Sequence, residues 1–398
     1  MSLNKRTLFI EIDYSEFVFT VVEKDDIGEF KKLRKFVVPF QETHDYKIVD
    51  FNSMLKIFKR NIFLLEQELS INLKDVIVLL NNCDCSIINF SGYKKLNGSQ
   101  LVKENITYIL NSLKSKITEI ENEKTILHIF NSKFLLDKKD SENLPIGLFG
   151  KFYSHELSFF LVDSNELRNL NNILNNCNLK VKKIISKNFI EGATIIKQNL
   201  ASNNFFKIEI NKNNSKIVFF ENSSFKFIQN FKFGTEIVLK DISKITGLKL
   251  KTISNFLLNS KLSTNSQEEF VEKEFFEQAN YRKIKKKLII DIAKSRIQEM
   301  SEILIFKNIN TLSFLKNKPL VFMIINDQPS KINFSEIYNS FFSQNKKFDL
   351  KFLEKNNSET LLNEAINIVQ YGWKKEAVPI IHEKKSIITR FFDLFFRT

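Results

Sequence analysis

The sequence predicts an α/β fold assembled from two similar halves. Runs rich in β-branched and aromatic residues alternate with segments of helical spacing along most of the 398 residues, a pattern that layers sheets against helices. Within it a short motif recurs. Phe9-Ile-Glu-Ile-Asp-Tyr-Ser-Glu-Phe-Val-Phe19 resembles Lys207-Ile-Glu-Ile-Asn-Lys-Asn-Asn-Ser-Lys-Ile-Val-Phe219. Each is an apolar strand carrying a Glu, a short polar turn and a second apolar strand. The repeat suggests a duplicated architecture with a cleft between its halves, although two unrelated hairpins would give the same match. A hydrophobic content of 43% is enough for a sizeable core, and the length fits two to four domains.

Taken in order, strands are expected at residues 7–12, 17–22, 75–80, 125–130, 157–162, 207–210, 217–220 and 320–325. Leu55, Phe58, Ile62, Leu65 and Leu69 recur at helical spacing and predict a helix over 53–69. Val102, Ile106, Ile109, Leu113, Ile117 and Ile120 predict another over 101–120. Further helices are expected at 165–175, 236–245, 281–306 and 359–371.

Composition excludes several classes. The longest apolar runs, such as 76–80 and 320–325, are far too short to span a bilayer. The N-terminus leads straight into a strand pattern, which predicts no signal peptide. Cys83, Cys85 and Cys177 lack paired ligand spacing and fit a reducing cytoplasm, with neither disulfides nor zinc expected. The net charge of +14 raises nucleic acid as a partner. Against that, the lysines are spread along the chain together with an excess of Asn, Ile and Phe, as AT-rich coding would produce, and no DNA- or RNA-reading signature is present. No nucleic-acid partner is therefore expected. His44, His128, His155 and His382 have no nucleophile or metal-ligand spacing around them, so no catalytic residue and no metal site is expected.

The last thirteen residues form an amphipathic pattern. At helical spacing Ile387, Ile388, Phe391, Phe392, Leu394, Phe395 and Phe396 share one face, while Ser386, Thr389, Arg390, Asp393 and Arg397 lie opposite. Such a helix lies in a membrane surface or docks on the protein's own core. Residues 373–385 before it are polar and charged and are expected to be a linker, which favours the membrane. Arg390 and the upstream Lys384 and Lys385 would favour anionic lipid, each cation contributing on the order of 1 kcal/mol.

Several segments resemble the FtsA family of actin-like bacterial cell-division proteins. Thr125-Ile-Leu-His-Ile-Phe130, then residues 134–137 and Asn143-Leu-Pro-Ile-Gly-Leu-Phe-Gly150, is similar to the family's "ILHV-P--F-VD" followed by "NPVG--G". Cys177-Asn-Leu-Lys-Val181 resembles its "C-GL-V" step, residues 366–372 resemble its "HYG" helix end, and the terminal amphipathic helix matches its membrane-targeting sequence. The resemblance implies an actin-like, duplicated ribonuclease-H-like fold. Its first subdomain would comprise residues 1–82 and 161–202, the FtsA-type insert (subdomain 1C) 83–160, and the second half 203–372, with an outer subdomain near 231–292. A linker over 373–385 and a membrane helix over 386–398 would follow.

At the nucleotide site the chain departs from this family. Actin-like proteins hold phosphates on backbone N–H groups of glycine-containing turns, where the missing side chain allows close approach. FtsA shows "DIGT", "DIGGGT" and "TGG". The corresponding turns here contain Glu11, Asp13 and Ser15, then Glu209, Asn211, Asn213 and Asn214, then Asn326, without a glycine among them. Asn tolerates left-handed backbone, so the second turn could keep a similar shape with Lys212 offsetting phosphate charge. Asp13 and Tyr14 instead place a negative charge and a ring where a phosphate would sit. A degenerate cleft with weakly bound ATP and magnesium, or none, is expected. Glu11 and Glu209 match acidic family positions facing the metal, or are strand residues facing solvent.

The implied function is that of an FtsA-like adaptor without enzymatic activity. It would tether polymers of the tubulin-like protein FtsZ to lipids of the cytoplasmic membrane at the division site. It would also self-associate into actin-like polymers and recruit later division proteins. The alternatives are an actin-like pilus-assembly scaffold, a family that usually lacks the anchor helix, and an active actin-like ATPase.

Overall fold

Two five-stranded sheets with the same strand order frame the molecule. The computed structural model describes residues 5–13, 16–25, 29–39, 51–81, 83–198, 204–259, 269–276, 280–317, 319–344, 348–353 and 358–377. The first sheet uses β1 (Arg6–Ile12), β2 (Glu16–Lys24), β3 (Phe30–Pro39) and β4 (Asp75–Leu80), with α1 (Phe51–Leu69) before β4. The chain then leaves this layer for β5 (Cys85–Lys95), α2 (Lys103–Ile120), β6 (Lys124–Leu136), β7 (Lys139–Ser141) and β8 (Phe152–Asp163). It returns through α3 (Ser164–Asn175) and β9 (Lys180–Ser186), and α4 (Lys187–Gln198) leads to the second half.

That half holds β10 (Phe205–Ile210), β11 (Ser215–Glu221), β12 (Ser224–Phe231), α5 (Thr235–Thr246), α6 (Leu250–Asn259) and α7 (Lys286–Ser301). It ends with β13 (Leu320–Ile325), α8 (Gln328–Gln344), β14 (Asp349–Phe352) and α9 (Ser358–Tyr371). The sheet orders are β3-β2-β1-β4-β9 and β12-β11-β10-β13-β14. In both, the first three strands in sequence form an antiparallel meander and the other two add in parallel. The two hairpins matched in sequence, β1–β2 and β10–β11, occupy equivalent positions, so the repeat is a structural duplication.

Central strands are buried on both faces; β4 and β13 read as near-continuous apolar runs, while β1 and β10 are apolar strands that also carry charged residues, Glu11 on β1 and the buried Lys207 and Glu209 on β10. Helix α4 leaves no such pattern. Its residues from Lys187 to Ile196 are all buried, so no solvent face imposes a helical period. Gly192 is what lets it approach β11, since a Cβ there would lie 2.0 Å from the Phe220 ring. That ring is stacked between Phe205, at 5.1 Å, and Phe225, at 4.8 Å. One core joins the first sheet, α4, α9 and the near face of the second sheet; the second half and the inserted unit each have another. The inserted sheet, order β5-β8-β6-β7, is antiparallel throughout and carries α2. It spans Cys85 to Asp163, beside the expected 83–160. The outer part of the second half holds α5, α6 and α7, and α7 continues as a π-helical turn over Glu302–Phe306.

The expected linker requires correction at its start. Residues 373–377 are docked, not free. Asn131 donates its N–H to the Lys375 carbonyl at 2.6 Å, and Ala377 donates to the Ile129 carbonyl at 2.7 Å, adding a short extended segment to the edge of β6. Trp373 Nε1 donates to the Ser223 carbonyl at 3.1 Å. Polar composition hid this, because the pairing uses backbone groups and two side chains, His128 and Lys183, distant in sequence. The rest of the linker and the amphipathic helix at 386–398 lie outside the described residues. Among the described residues, no helix is long and apolar enough to cross a membrane.

Candidate functional site: a charged cleft between the halves

The two matching hairpins are linked through side chains of α4. Glu11 is on β1 and Asp13 follows it, while Lys187 opens α4 and Glu191 lies one turn further on the same helix face. The Lys187 ammonium donates to Glu11 Oε1 and, at 2.5 Å, to Asp13 Oδ2. Asn81, just after β4, donates its side-chain amide to Asp13 Oδ1 at 2.7 Å and its backbone N–H to the Ile12 carbonyl at 3.0 Å. Asn81 Oδ1 in turn accepts from Lys216 of β11 at 2.9 Å, a bond that crosses from one half to the other. On the far side Lys207 pairs with Glu191 and lies 3.5 Å from Glu209. The cleft is thus lined by four carboxylates and three ammonium groups, and the three lysines are no more than 4% exposed.

Burial alone pulls Lys187 down, but the carboxylates of Asp13, Glu11 and Glu191 outweigh it and hold the group well above the ordinary lysine range. Burial likewise pushes Glu209 up, yet Lys207 and Lys216 bring it below the usual carboxylate range. For Lys187 and Glu209, the opposite charges beside them outweigh the cost of burial.

The asparagine-rich turn is also closed on itself. Asn211 accepts Thr235's N–H at 3.0 Å, and Lys212 accepts Glu236's N–H at 2.9 Å, both through backbone carbonyls. The first amides of α5, the donors a helix N-terminus would offer an anion, are therefore engaged. Gly234 makes this possible, because a Cβ there would lie 2.1 Å from the Asn211 carbonyl oxygen. Asn211 N–H donates to the Asn214 carbonyl at 2.9 Å, and its side-chain amide to Asn214 Oδ1 at 2.7 Å. Asn326 donates to Glu209 Oε1 at 2.9 Å and to Asn211 Oδ1 at 2.6 Å.

Of the residues expected at the cleft, Glu11 and Asp13 come together through Lys187, and Glu209, Asn211, Asn214 and Asn326 form one hydrogen-bonded group. Asn213 is half-buried in the same turn, and Ser15 lies outside the described residues. Neither Glu11 nor Glu209 faces open solvent, which removes the surface-strand alternative. Lys212 is exposed, so it is not the cation that offsets the site's charge. The residues that sequence reasoning missed are Asn81, Lys187, Glu191, Lys207 and Lys216. Buried lysines amid so many surface ones give no sequence signal, even though Lys207 and Lys216 both stand in the repeated hairpin motif.

A magnesium-bound triphosphate does not fit this arrangement. It would have to displace Lys187 from Glu11 and Asp13, and the α5 amides from their carbonyls. Asn188 Oδ1 and Asn326 Oδ1, buried without a hydrogen-bond partner, are acceptors that a phosphate cannot satisfy. Among the described residues no cluster of three metal-ligating side chains is present.

No family model matches the chain. A curated relative, cell division protein FtsA of Buchnera aphidicola subsp. Acyrthosiphon pisum (strain APS), is 21% identical over 197 residues, 50% of this chain and 47% of the relative. The match thus spans about half the relative's length. Among solved structures, a PilM–PilN type IV pilus biogenesis complex matches with a TM-score of 0.51 and 11% identity, covering 92% of this chain and 97% of that one. Together with the duplicated sheet order, this makes the fold actin-like.

Proposed function

We propose that the protein is an FtsA-type scaffold of bacterial cell division. It tethers FtsZ polymers to the cytoplasmic face of the membrane at the division site, and it neither binds ATP productively nor hydrolyses it. The observation that carries this reading is the sequence match to FtsA over half the chain. The actin-like fold and the amphipathic face of Ile387, Ile388, Phe391, Phe392, Leu394, Phe395 and Phe396, with Arg390 opposite, support it. The internal pairing of the cleft supports the non-enzymatic part. Self-association into polymers and recruitment of later division proteins belong to the same reading.

A second reading, an actin-like pilus-assembly scaffold, is favoured by the fit to the PilM–PilN complex along nearly the whole chain. The terminal amphipathic helix weighs against it. Titrating the full chain with the C-terminal peptide of FtsZ separates the two. The scaffold reading expects saturable binding in the micromolar range, typical of a short segment that orders on binding. Absence of binding, with capture of a PilN-type partner, would transfer the protein to the pilus class.

A further inference from the structure

We propose that Lys187 is a built-in cation of the cleft, holding the place between Glu11 and Asp13 that a divalent metal would need, so that the chain closes its own halves without nucleotide. This deepens the non-enzymatic scaffold reading and rests on it.

The geometry at Lys187 is that of a counter-ion. Its side chain is buried at the first residue of α4, and its ammonium spans two carboxylates from the end of β1. A lysine ammonium is a compact point charge with three donors, the closest a side chain comes to a small cation. Removing it would leave like charges facing each other in a water-poor site, the most costly way to break a buried pair.

From Asp13 the network continues through Asn81 to Lys216 of the second half. Lys207 of the second half reaches Glu191 on α4. Charge balance at Lys187 is therefore tied to contact between the halves.

A second, separate clasp points the same way. Lys226 on β12 is buried and pairs with Glu156 of the inserted sheet, and its carbonyl accepts from Asn89 at 3.1 Å. Ser132 lies 3.2 Å from Ser224 and 2.7 Å from Ser158 through their hydroxyls. The second half is thus fixed at the cleft and at the insert, through groups the chain itself supplies. Such a body presents its surfaces in one arrangement and does not cycle with nucleotide.

The test is thermal melting of the full chain and of Lys187→Ala, with and without manganese, magnesium-ATP and EDTA. The wild type should melt at one temperature under all four conditions. Lys187→Ala should melt several degrees lower and be raised by manganese, which takes the place of the ammonium. Adding Asp13→Asn to Lys187→Ala should recover stability without metal and abolish the manganese response, which loss of packing alone would not do. A wild type stabilised by magnesium-ATP would sink the scaffold reading and this inference together. A wild type indifferent to ATP, with Lys187→Ala responding neither to manganese nor to Asp13→Asn, would overturn the inference alone. If Lys187→Ala is insoluble, Lys187→Met keeps the stem's volume and carries the same arms. Manganese binding to the wild type, read by electron paramagnetic resonance and lost in Asp13→Asn, would also overturn it.

Discussion

Gly192 shows how much one missing side chain decides. The Phe220 ring beneath it is fixed by stacked neighbours on both faces, so it cannot yield to a new Cβ. Gly192→Ala would ordinarily favour a helix by about 1 kcal/mol. Overpacking here should reverse that sign and destabilise the protein by about 1–3 kcal/mol. Urea denaturation would read the change, and a more stable variant would mean that α4 can shift away from β11. The cleft was partly legible at this scale. Glu11, Asp13 and the asparagines drew notice because they replace the residues of a known turn. Their partners did not, since Lys187 and Lys216 acquire meaning only when α4 and β11 bring them beside carboxylates far away in sequence.

Among the elements, the docked segment at 373–377 is held by Glu376, which pairs with His128 and Lys183. Ser186 N–H donates to His128 Nε2 at 3.1 Å, so the neutral imidazole's proton sits on Nδ1 and is donated to Glu376 Oε1 at 2.8 Å. Burial pushes Glu376 up, but His128 and Lys183 bring it below the ordinary carboxylate range. A depressed carboxylate contributes stability that is present above its unfolded pKa and lost as pH falls through its folded one. Protection of the Asn131 and Ala377 amides against hydrogen exchange should therefore hold at neutral pH and fade in acid. Glu376→Gln should weaken it at neutral pH by about 1–3 kcal/mol, the cost of disrupting buried hydrogen bonds. Unchanged protection would show that the backbone pairing alone holds the segment. Elements were legible where burial leaves a pattern. The expected strands at 75–80 and 320–325 coincide with β4 and β13, and the expected helices fall on α1, α2, α3, α5, α7 and α9. Strands β5, β7, β9, β12 and β14, helices α6 and α8, and the fully buried α4 were not among the expected elements. Strand β3 was missed because it is an edge strand whose Lys31, Lys32, Arg34 and Lys35 mask the alternation.

At the scale of the whole molecule, duplicated sheets, a self-paired cleft and an added antiparallel unit describe an actin-like body that supplies its own internal charges. On the proposed reading, the body holds its partner while the terminal helix holds the membrane. The duplication was visible as one repeated hairpin because its strands are the central, two-sided ones. The contacts between the halves depend on side chains from both and leave no linear trace. Replacing Phe391 and Phe395 with Glu would place two charges at the headgroup–acyl boundary, at a cost on the order of several kcal/mol. The most direct measurement is co-sedimentation of purified FtsZ with anionic vesicles in the presence of the full chain. The account predicts that FtsZ pellets with the vesicles when the wild-type chain is added and stays in solution with the Phe391→Glu, Phe395→Glu variant. FtsZ remaining in solution with the wild-type chain, or pelleting equally well with the variant, would contradict it.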